Sequence, residues 1–449
     1  MQLLIAALTA VALVLMPVHA AKEVFAHMIV GNLPEFTLSD WEDDIRLAQA
    51  SKIDAFVLNI AAKDPSNDKS LDLAFEAANA LNFSLFFSFD YLAQGPWPQA
   101  NVTALLQKFT PNPAYFKHQD NNNNNAGRSR PLVSTFEGPD SAADWPSIKA
   151  ATDAFFVPDW SSKTASDAAA LAGGVVDGLF SFNAWPDGAA NMTTDGDRAF
   201  QAALAPQKKA YMMPVSPWFF TNLPGFDKNW LWRGDELWDG RWRQVMEVVP
   251  DFVQILTWND YGESHYIGPV RKKELGLFTT AKAPLEYVKG VTHDGWRKFL
   301  PFYIEVYKTG KVPAEVEEGV AAYYRTAPAL ACPAGGTKGN NVDFGQTEVA
   351  PEGLVEDSVF YAALLKSDEG VTVTVSIGGK QQTGAFTRAP AAGAGTLGVY
   401  MGSVPLGENT GDVVVTVSRD GQTVATAEGG KGISTECENN VQNWNAVAV

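Results

Sequence analysis

Eight apolar, β-rich segments alternate with helix-like segments in the first part of the chain, and this alternation constrains the fold more than any other feature. The segments are nearly continuous apolar runs, as parallel strands buried on both faces require. Eight strands, each followed by a crossover, predict an α/β fold, a (β/α)8 TIM barrel. A doubly wound open sheet is the weaker alternative, because a Gly-rich phosphate turn is lacking. The segments are 24–30, 54–60, 84–90, 131–137, 154–160, 178–185, 210–218 and 252–259.

Several of the intervening segments carry apolar residues at helical spacing. Thr37 or Ser39 can cap a helix that precedes the second strand. Residues 68–81 and 235–248 also place their apolar side chains on one helical face. These segments supply the helices that a parallel sheet needs between its strands.

Residues 1–20 have the pattern of a secretory signal peptide. The apolar stretch from Leu3 to Leu15 is too short to span a bilayer comfortably, and Pro17 and Ala20 follow it as a cleavage region would require. We therefore expect a secreted protein, extracellular or in the cell wall, with no membrane partner. Three sequons fit that route as glycosylation sites: Asn82, Asn101 and Asn191.

The composition changes near residue 315. Residues 316–449 contain segments with period-two alternation, such as 371–377, and Gly-rich turns. They predict a β-sandwich accessory domain after a catalytic domain at 21–315. The cysteines Cys332 and Cys437 predict one disulfide in a secreted chain, and the alternative is two buried free thiols.

The formal net charge of -17 at pH 7 repels phosphate backbones and argues against nucleic acid as a partner. A run of five asparagines at 121–125 cannot bury a core and predicts a solvated loop.

The active site of a (β/α)8 barrel lies at the C-terminal ends of its strands. Nearly every predicted strand ends there in a carboxylate, an amide, a histidine or an indole, and tryptophan stacks on flat ligand faces such as those of sugars. Trp218, with Trp230 or Trp232, is a candidate for a groove wall. We predict the following substrate-binding residues: His27, Asn59, Asp90, Glu137, Asp159, Trp160, Asn183, Trp185, Trp218, Trp258, Asn259, Tyr261 and His265.

The eighth segment ends in two carboxylates, Asp260 and Glu263, across a glycine-containing turn. Two carboxylates at one rim can have their pKa values pushed apart, so that one holds a proton and the other does not. Glycosidic hydrolysis needs such a pair. The competing interpretation is that Asp260 caps a loop while Glu263 is solvated.

Other chemistries lack their sequence signals. The chain has no Gly-x-Ser-x-Gly elbow and no Walker or Rossmann glycine pattern. A metal site from His27, Asp90, Asp260 and His265 is conceivable, but these residues lack the usual ligand spacing. We therefore expect neither a metal nor a cofactor.

Taken together, several motifs resemble glycoside hydrolase family 71, the fungal α-1,3-glucanases or mutanases. The resemblance covers roughly residues 22–310 and rests on the segments 24–32, 40–45, 53–60, 86–90 and 258–266. It implies an endo-acting hydrolase of α-1,3-glucan that inverts the anomeric carbon. The family's catalytic acids map onto Asp260 and Glu263.

We assign Glu263 as the general acid and Asp260 as the base. The two roles could be exchanged, or Asp90 or Asp159 could hold the water. Two other functions stay open: a wall-polysaccharide binding protein without catalysis, and a hydrolase of another glucan or of an amino-sugar polymer. We expect a monomer whose C-terminal domain supports the barrel, since its single tryptophan offers a thin sugar platform.

Overall fold

The computed structural model of the protein describes residues 22–120, 127–390 and 396–449. The predicted signal peptide and the asparagine run at 121–125 lie outside these residues. Within them, no helix is both long and apolar enough to cross a membrane.

Each of the eight predicted apolar segments contains a strand of one sheet, which confirms the mixed α/β fold. The strands of this part of the chain are β1 (Glu23–Ile29), β2 (Ala55–Ala61), β3 (Ser84–Asp90), β4 (Lys117–Asp120), β5 (Arg128–Phe136), β6 (Phe155–Phe156), β7 (Gly178–Phe180), β8 (Ala210–Val215), β9 (Phe220–Leu223), β10 (Lys228–Leu231) and β11 (Phe252–Ile255). Strands β9 and β10 form a hairpin outside this sheet.

The sheet has the order β4-β5-β3-β2-β1-β11-β8-β7, with β6 paired to β5. All of its pairs are parallel except that of β4 with β5. Among the described residues, β6 and β7 are not joined by a ladder. Asp159, which follows β6, instead makes single parallel bridges to Phe136 at the end of β5 and to Phe180 at the end of β7. Because the strands are parallel, their C-terminal ends meet at one rim, which collects the side chains that follow them.

Helices lie between the strands, as the apolar spacing predicts. They are α1 (Leu38–Ala50), α2 (Asn67–Leu81), α3 (Gln99–Phe109), α4 (Trp145–Thr152), α5 (Ala165–Gly174), α6 (Asp195–Leu204), α7 (Leu237–Val248), α8 (Gly276–Thr280) and α9 (Leu300–Thr309). Thr37 is the cap of α1, and its backbone N–H donates to Asp40 Oδ2 at 2.7 Å. Trp41 and Ile45 of α1 are buried in the core beneath the sheet.

The C-terminal part forms antiparallel sheets with period-two burial. Its strands are β12 (Gly319–Arg325), β13 (Lys338–Gly339), β14 (Ser358–Leu365), β15 (Val371–Ile377), β16 (Lys380–Gly384), β17 (Phe386–Arg388), β18 (Gly398–Pro405), β19 (Val413–Arg419), β20 (Gln422–Glu428) and β21 (Ala446–Ala448). One sheet has the order β17-β18-β14-β12-β21 and the other β16-β15-β19-β20. Apolar residues of both sheets share one buried cluster.

The five-stranded sheet also packs against the first part of the chain. Tyr323 of β12 and Phe360 of β14 belong to the same core cluster as the strands of the parallel sheet, and Tyr323 lies with its ring 4.5 Å from that of Trp296. Trp242 stacks on Tyr303 with ring centroids 5.5 Å apart. One continuous hydrophobic core therefore spans the composition change near residue 315.

Cys332 and Cys437 are bonded in a disulfide, with Cα atoms 6.3 Å apart. This confirms the predicted pairing over the alternative of two free thiols.

Candidate active site

The segment that leaves β11 folds back on itself and carries both predicted acids. The Thr257 N–H donates to the His265 carbonyl at 2.8 Å, and the Ile267 N–H donates to the Thr257 carbonyl at 2.9 Å. Ser264, at the reversal, has a left-handed backbone with φ 58°. The loop is thus a closed backbone unit fixed to the end of the parallel sheet.

Gly262 lies between the two acids in the sequence, and its backbone packs closely against Leu277 and Leu223. A Cβ there would lie 2.8 Å from Leu277 and 3.0 Å from Leu223, so any side chain would force these leucines to move. The turn is also held by the Glu263 N–H, which donates to Asp260 Oδ1 at 3.1 Å. The glycine therefore allows the acids to be brought side by side.

The acids form a four-residue charged cluster, which we call the acid cluster: Lys228, Asp260, Glu263 and His265. His265 Nε2 lies 3.5 Å from Asp260 Oδ2 and 3.2 Å from Glu263 Oε2. Lys228 Nζ donates to Glu263 Oε1 at 2.6 Å. The side chains of Asp260 and Glu263 are 14% and 15% exposed, so neither is sealed from solvent, whereas His265 is buried.

The groups of the acid cluster control one another's protonation. Burial opposes the charge of His265, but contact with the two carboxylates raises the pKa of His265 to about 9. Burial likewise opposes ionisation of Glu263, yet the Lys228 ammonium and the His265 ring hold its pKa well below its usual range. The Glu263 carboxylate in turn raises the pKa of Lys228. At neutral pH, Glu263 is therefore ionised while His265 and Lys228 are cationic.

Sequence reasoning missed Lys228. It lies on β10, so it reaches the acids from the β9–β10 hairpin rather than from the end of a parallel strand. Its signal was weak but present: it is the only lysine in the aromatic-rich stretch 216–243. The stretch also carries three arginines, Arg233, Arg241 and Arg243, so the sequence did not single out Lys228 as the partner of the carboxylates.

An aromatic wall borders the acid cluster on the His265 side. Trp185 and Phe219 lie with ring centroids 5.3 Å and 5.4 Å from the His265 ring. Trp232 stacks on Trp185 at 5.0 Å, and Trp230 stacks on Phe219 at 5.5 Å. The wall therefore includes Trp185 and both Trp230 and Trp232, which the sequence had proposed for this place.

Asn59, Asp90 and His27 lie at neighbouring strand ends. Asn59 Nδ2 donates to Asp90 Oδ2 at 3.4 Å, while Asp90 Oδ1 accepts two backbone N–H groups of the following turn at 2.8 Å. Burial raises the pKa of Asp90, partly offset by these bonds and by the charge of Lys228. The His27 ring contacts Gln254 Oε1 at 3.1 Å, and burial lowers the pKa of His27 to about 4. Lys228 thus electrostatically links Asp90 to the acid cluster.

Glu137 and Asp159 form a second carboxylate group on the rim. Glu137 accepts from the Ser162 N–H at 2.8 Å and from its hydroxyl at 2.5 Å. Asp159 Oδ1 accepts from the Ser161 backbone and hydroxyl, but Asp159 Oδ2 has no hydrogen-bond partner among the described residues. Burial, together with the charge of Glu137, raises the pKa of Asp159 to about 8. Asp159 therefore holds a proton at neutral pH.

This protonated carboxyl predicts a pH-dependent stability. In the unfolded protein, Asp159 loses its proton near the usual pKa of an aspartate, about 3.9. In the folded protein, Asp159 keeps its proton up to about pH 8. The folded state binds the extra proton between these values, so stability should fall as pH rises from 5 to 8, by at most about 1.4 kcal/mol per pH unit. In Asp159→Asn this loss should be absent. Urea unfolding at each pH measures it.

Asp140→Asn is the matched control, because Asp140 follows β5 on the same rim and is exposed. Its stability should follow the wild-type pH dependence. Parallel curves for wild type and Asp159→Asn would contradict a protonated Asp159.

Three predicted sugar platforms need correction. The side chains of Trp160, Trp218 and Trp258 are buried, and no ring face is open to a ligand. Trp218 Nε1 donates to the Trp444 carbonyl at 3.1 Å, and Trp258 Nε1 donates to Asp44 Oδ2 at 2.9 Å. These indoles instead fill the core beneath the rim, because each packs where a strand end meets a helix or the C-terminal part.

Asn259 and Tyr261 are also occupied by structural contacts. The Asn259 amide donates to the Ile29 carbonyl at 2.9 Å and accepts from the Ile29 N–H at 2.8 Å. The Tyr261 hydroxyl donates to the Pro269 carbonyl at 2.8 Å. Both are buried, which corrects their assignment as substrate-binding residues: they fix the loop to β1 and to its own continuation. The Asn183 side chain is exposed and is not brought into the acid cluster.

The acid cluster has the donor types of a metal site. One atom each of Asp260, Glu263 and His265 lies within 4.8 Å of the others. However, Lys228 Nζ already pairs with Glu263 at 2.6 Å, and a metal would have to displace the proton that the two carboxylates hold on His265. The arrangement suits proton transfer better than metal binding.

Comparisons with known proteins extend over nearly the whole chain. Residues 20–449 match the family model described as Glycosyl hydrolase family 71. A mutanase from Penicillium rubens is 33% identical over 428 residues, which cover 93% of this chain and 86% of the relative. A glucan endo-1,3-alpha-glucosidase from Schizosaccharomyces pombe is 34% identical over 430 residues, 92% of this chain and 91% of the relative.

An ascus wall endo-1,3-alpha-glucanase from the same species is 32% identical over 324 residues, 68% of this chain and 71% of the relative. The family match includes the C-terminal sheets, whereas the sequence motifs indicated a resemblance only to about residue 310.

Proposed function

Because the chain belongs to glycosyl hydrolase family 71 and is therefore a glycoside hydrolase, we propose that it cleaves α-1,3-glucan as a secreted, endo-acting enzyme. One observation carries the proposal: Asp260 and Glu263 lie side by side, partly exposed, where the parallel sheet presents its strand ends. The half-buried Trp185 and Trp230 of the aromatic wall beside them leave ring surface for contact with a sugar chain.

In the proposed reaction Glu263 is the general acid and Asp260 is the base. Glu263 gives a proton to the glycosidic oxygen of the leaving chain. Asp260 takes a proton from a water molecule, whose oxygen bonds to the anomeric carbon as the bond to the glycosidic oxygen breaks. The configuration at that carbon is inverted.

The resting cluster does not yet satisfy this reaction. Lys228 lowers the pKa of Glu263 and so keeps this residue ionised. One carboxylate oxygen of Glu263 also lies within 4.8 Å of one of Asp260. An inverting pair needs about 6.5–9.5 Å to admit the water. A sugar that displaces Lys228 and moves Glu263 away would meet both needs, since it lets Glu263 take up a proton and opens the gap. Lys228 is well placed to leave, because its side chain is partly exposed.

The experiment is product analysis on α-1,3-glucan, with the anomeric configuration followed over time. Inverted products support the proposed roles. Retained products would mean that the pair works at its resting separation, with one carboxylate as nucleophile. A panel of α-1,3-, β-1,3- and β-1,4-glucans and chitosan tests the substrate, and binding without release of reducing sugar would contradict catalysis.

Lys228→Met should identify which acid carries the proton. Loss of the cation raises the pKa of Glu263, by at least about 1 unit, since a nearby opposite charge shifts a carboxyl by about 1–3 units. If Glu263 is the general acid, the alkaline limb of the kcat/KM profile moves to higher pH. If the acidic limb moves instead, Glu263 is the base and the assignment is reversed.

The control for this variant is Lys338→Met. Lys338 is an exposed lysine on β13, which pairs with β10, and its own partner is Glu348 at 2.8 Å. Its removal should leave both limbs of the pH profile in place.

Further parts of the proposal concern architecture and location. We propose that the parallel sheet closes as a (β/α)8 barrel through the bridges of Asp159, and that the two C-terminal sheets form a β-sandwich. The barrel would occupy 21–315 and the sandwich 316–449. Secretion of a monomer after removal of residues 1–20 agrees with the three sequons, whose asparagines are all exposed: Asn82, Asn101 and Asn191. Mass analysis of secreted protein before and after deglycosylation tests cleavage and glycan occupancy.

A further inference from the structure

Phe344 is an aromatic side chain held out in solvent by a well-anchored loop. Its side chain is 72% exposed, the most exposed aromatic ring among the described residues. The loop around it is closed by its own polar groups: the Asp343 N–H donates to Asn341 Oδ1 at 2.9 Å, and the Asn341 N–H donates to Gln346 Oε1 at 2.9 Å. An apolar ring fixed in this way is available to a ligand without the cost of ordering a loop.

The loop belongs to the C-terminal part of the chain but is attached to the rim of the parallel sheet. Strand β13, which precedes it, pairs in parallel with β10, the strand that carries Lys228. The Asn340 N–H donates to the Leu231 carbonyl at 2.9 Å, and Asn340 Oδ1 accepts from the Gly188 N–H at 3.1 Å. The loop is thus fixed both to the β9–β10 hairpin and to the loop that carries Trp185.

A row of parallel rings connects Phe344 to the acid cluster. Phe344 stacks on Trp232 with centroids 6.4 Å apart and 7° between planes. Trp232 stacks on Trp185 at 5.0 Å and 10°, and Trp185 lies 5.3 Å from the His265 ring. Trp232 Nε1 also donates to Gln346 Oε1 at 2.7 Å, which fixes the row to the loop. The inner rings are covered by one another, so Phe344 presents the open outer face.

We propose that Phe344 is a binding platform for a glucosyl residue of the polysaccharide, several sugar units away from the bond that is cut. The inference rests on the proposed function, which supplies the polymeric substrate. The apolar face of a glucosyl ring can stack on the outer face of Phe344 while its hydroxyls stay in water. A platform remote from the acids holds long chains, which is what an endo-acting enzyme requires. In this way the C-terminal part contributes directly to substrate binding.

The test compares Phe344→Ala with Phe344→Tyr and Phe344→Leu on α-1,3-gluco-oligosaccharides of increasing length. Loss of one aromatic stack should raise KM for long chains by about five- to tenfold. The rise should be smaller for oligosaccharides too short to reach Phe344 from the acid cluster. Phe344→Tyr should retain tight binding, whereas Phe344→Leu, which keeps apolar bulk without a ring, should behave as Phe344→Ala.

Leu330→Ala is the matched control, because Leu330 is an exposed apolar residue of the same C-terminal part, 81% exposed and outside the aromatic row. Its KM should equal that of the wild type. If Phe344→Ala also leaves KM for long chains unchanged while the wild type hydrolyses α-1,3-glucan, the platform is refuted and the proposed function stands.

Affinity electrophoresis in gels containing soluble α-1,3-glucan separates the remaining outcomes. If the wild type releases no reducing sugar but is retarded by the glucan, and Phe344→Ala is not, the platform stands while the proposed catalysis fails. If the wild type is neither active on the glucan nor retarded by it, both proposals fail.

Discussion

Asp260→Asn and Glu263→Gln should each lower kcat on α-1,3-glucan by about 10²–10⁴-fold, the usual contribution of a positioned acid or base. Each change keeps the size of the side chain but removes its capacity to exchange the proton. The backbone loop around both residues is held by main-chain bonds from Thr257 to His265 and Ile267, so the variants should keep the fold. Release of reducing sugar measures the rate, and circular dichroism verifies the fold.

Both variants should also lower the pKa of His265, since each removes one of the two carboxylates that contact its ring. Glu263→Gln removes the partner of Lys228 and one of the two carboxylates that contact His265. The pKa of His265 should then fall from about 9 towards its usual value. NMR titration of the ring would detect that shift even in an inactive variant.

Asp140→Asn is the control for both substitutions, because Asp140 is an exposed rim carboxylate outside the acid cluster. It should hydrolyse at the wild-type rate. A near-wild-type rate in Asp260→Asn or Glu263→Gln would remove that residue from the mechanism.

The largest expected loss of stability follows from Arg325→Met. Arg325 of β12 donates to Asp235 Oδ1 at 2.9 Å, and both side chains are buried. The guanidinium also lies 4.5 Å from the centre of the Trp218 ring. Without the Arg325 cation, the buried Asp235 carboxylate keeps the Glu356 N–H at 2.7 Å and the more distant Arg233 guanidinium at 3.9 Å. Breaking such a pair costs about 3–5 kcal/mol.

Urea unfolding followed by tryptophan fluorescence measures the free energy of unfolding of this variant. Arg46→Met is the control, since Arg46 forms exposed ion pairs on α1 with Glu42 and Asp43, worth less than about 1 kcal/mol. Adding Asp235→Asn to Arg325→Met should recover part of the loss, because it removes the buried charge. A loss below that of the control would show that this pair does not fix β12 to the segment before α7.

The same contacts bear on the deletion of the C-terminal part. A chain that ends before β12 would expose Trp296 and Trp218, which pack against Tyr323 and Arg325. Such a deletion cannot separate glucan binding from folding, so point substitutions such as those at Phe344 are the better test.

Sequence patterning was sufficient for the elements and their order. The eight apolar segments, the helices at α1, α2 and α7, and the period-two strands such as β15 are all present. Each of these elements depends on a local property. The spacing of apolar residues in a short segment determines which face must be buried, and it does so without reference to the segment that packs against it. The predicted segments ran beyond the C-terminal ends of four strands, β6, β7, β8 and β11, because the residues that follow are still largely buried although the regular strand has ended.

For the site, the sequence determined that Asp260, Glu263 and His265 lie close together, since all three belong to one turn of six residues, 260–265. Tertiary structure decided the rest. It brought Lys228 to Glu263 from the β9–β10 hairpin, buried Trp160, Trp218 and Trp258 as core, and placed Phe344 over Trp232 across 112 positions of sequence. A local pattern shows that a side chain is apolar or charged, but which group it meets depends on chain segments that only the folded sheet and its loops bring into contact.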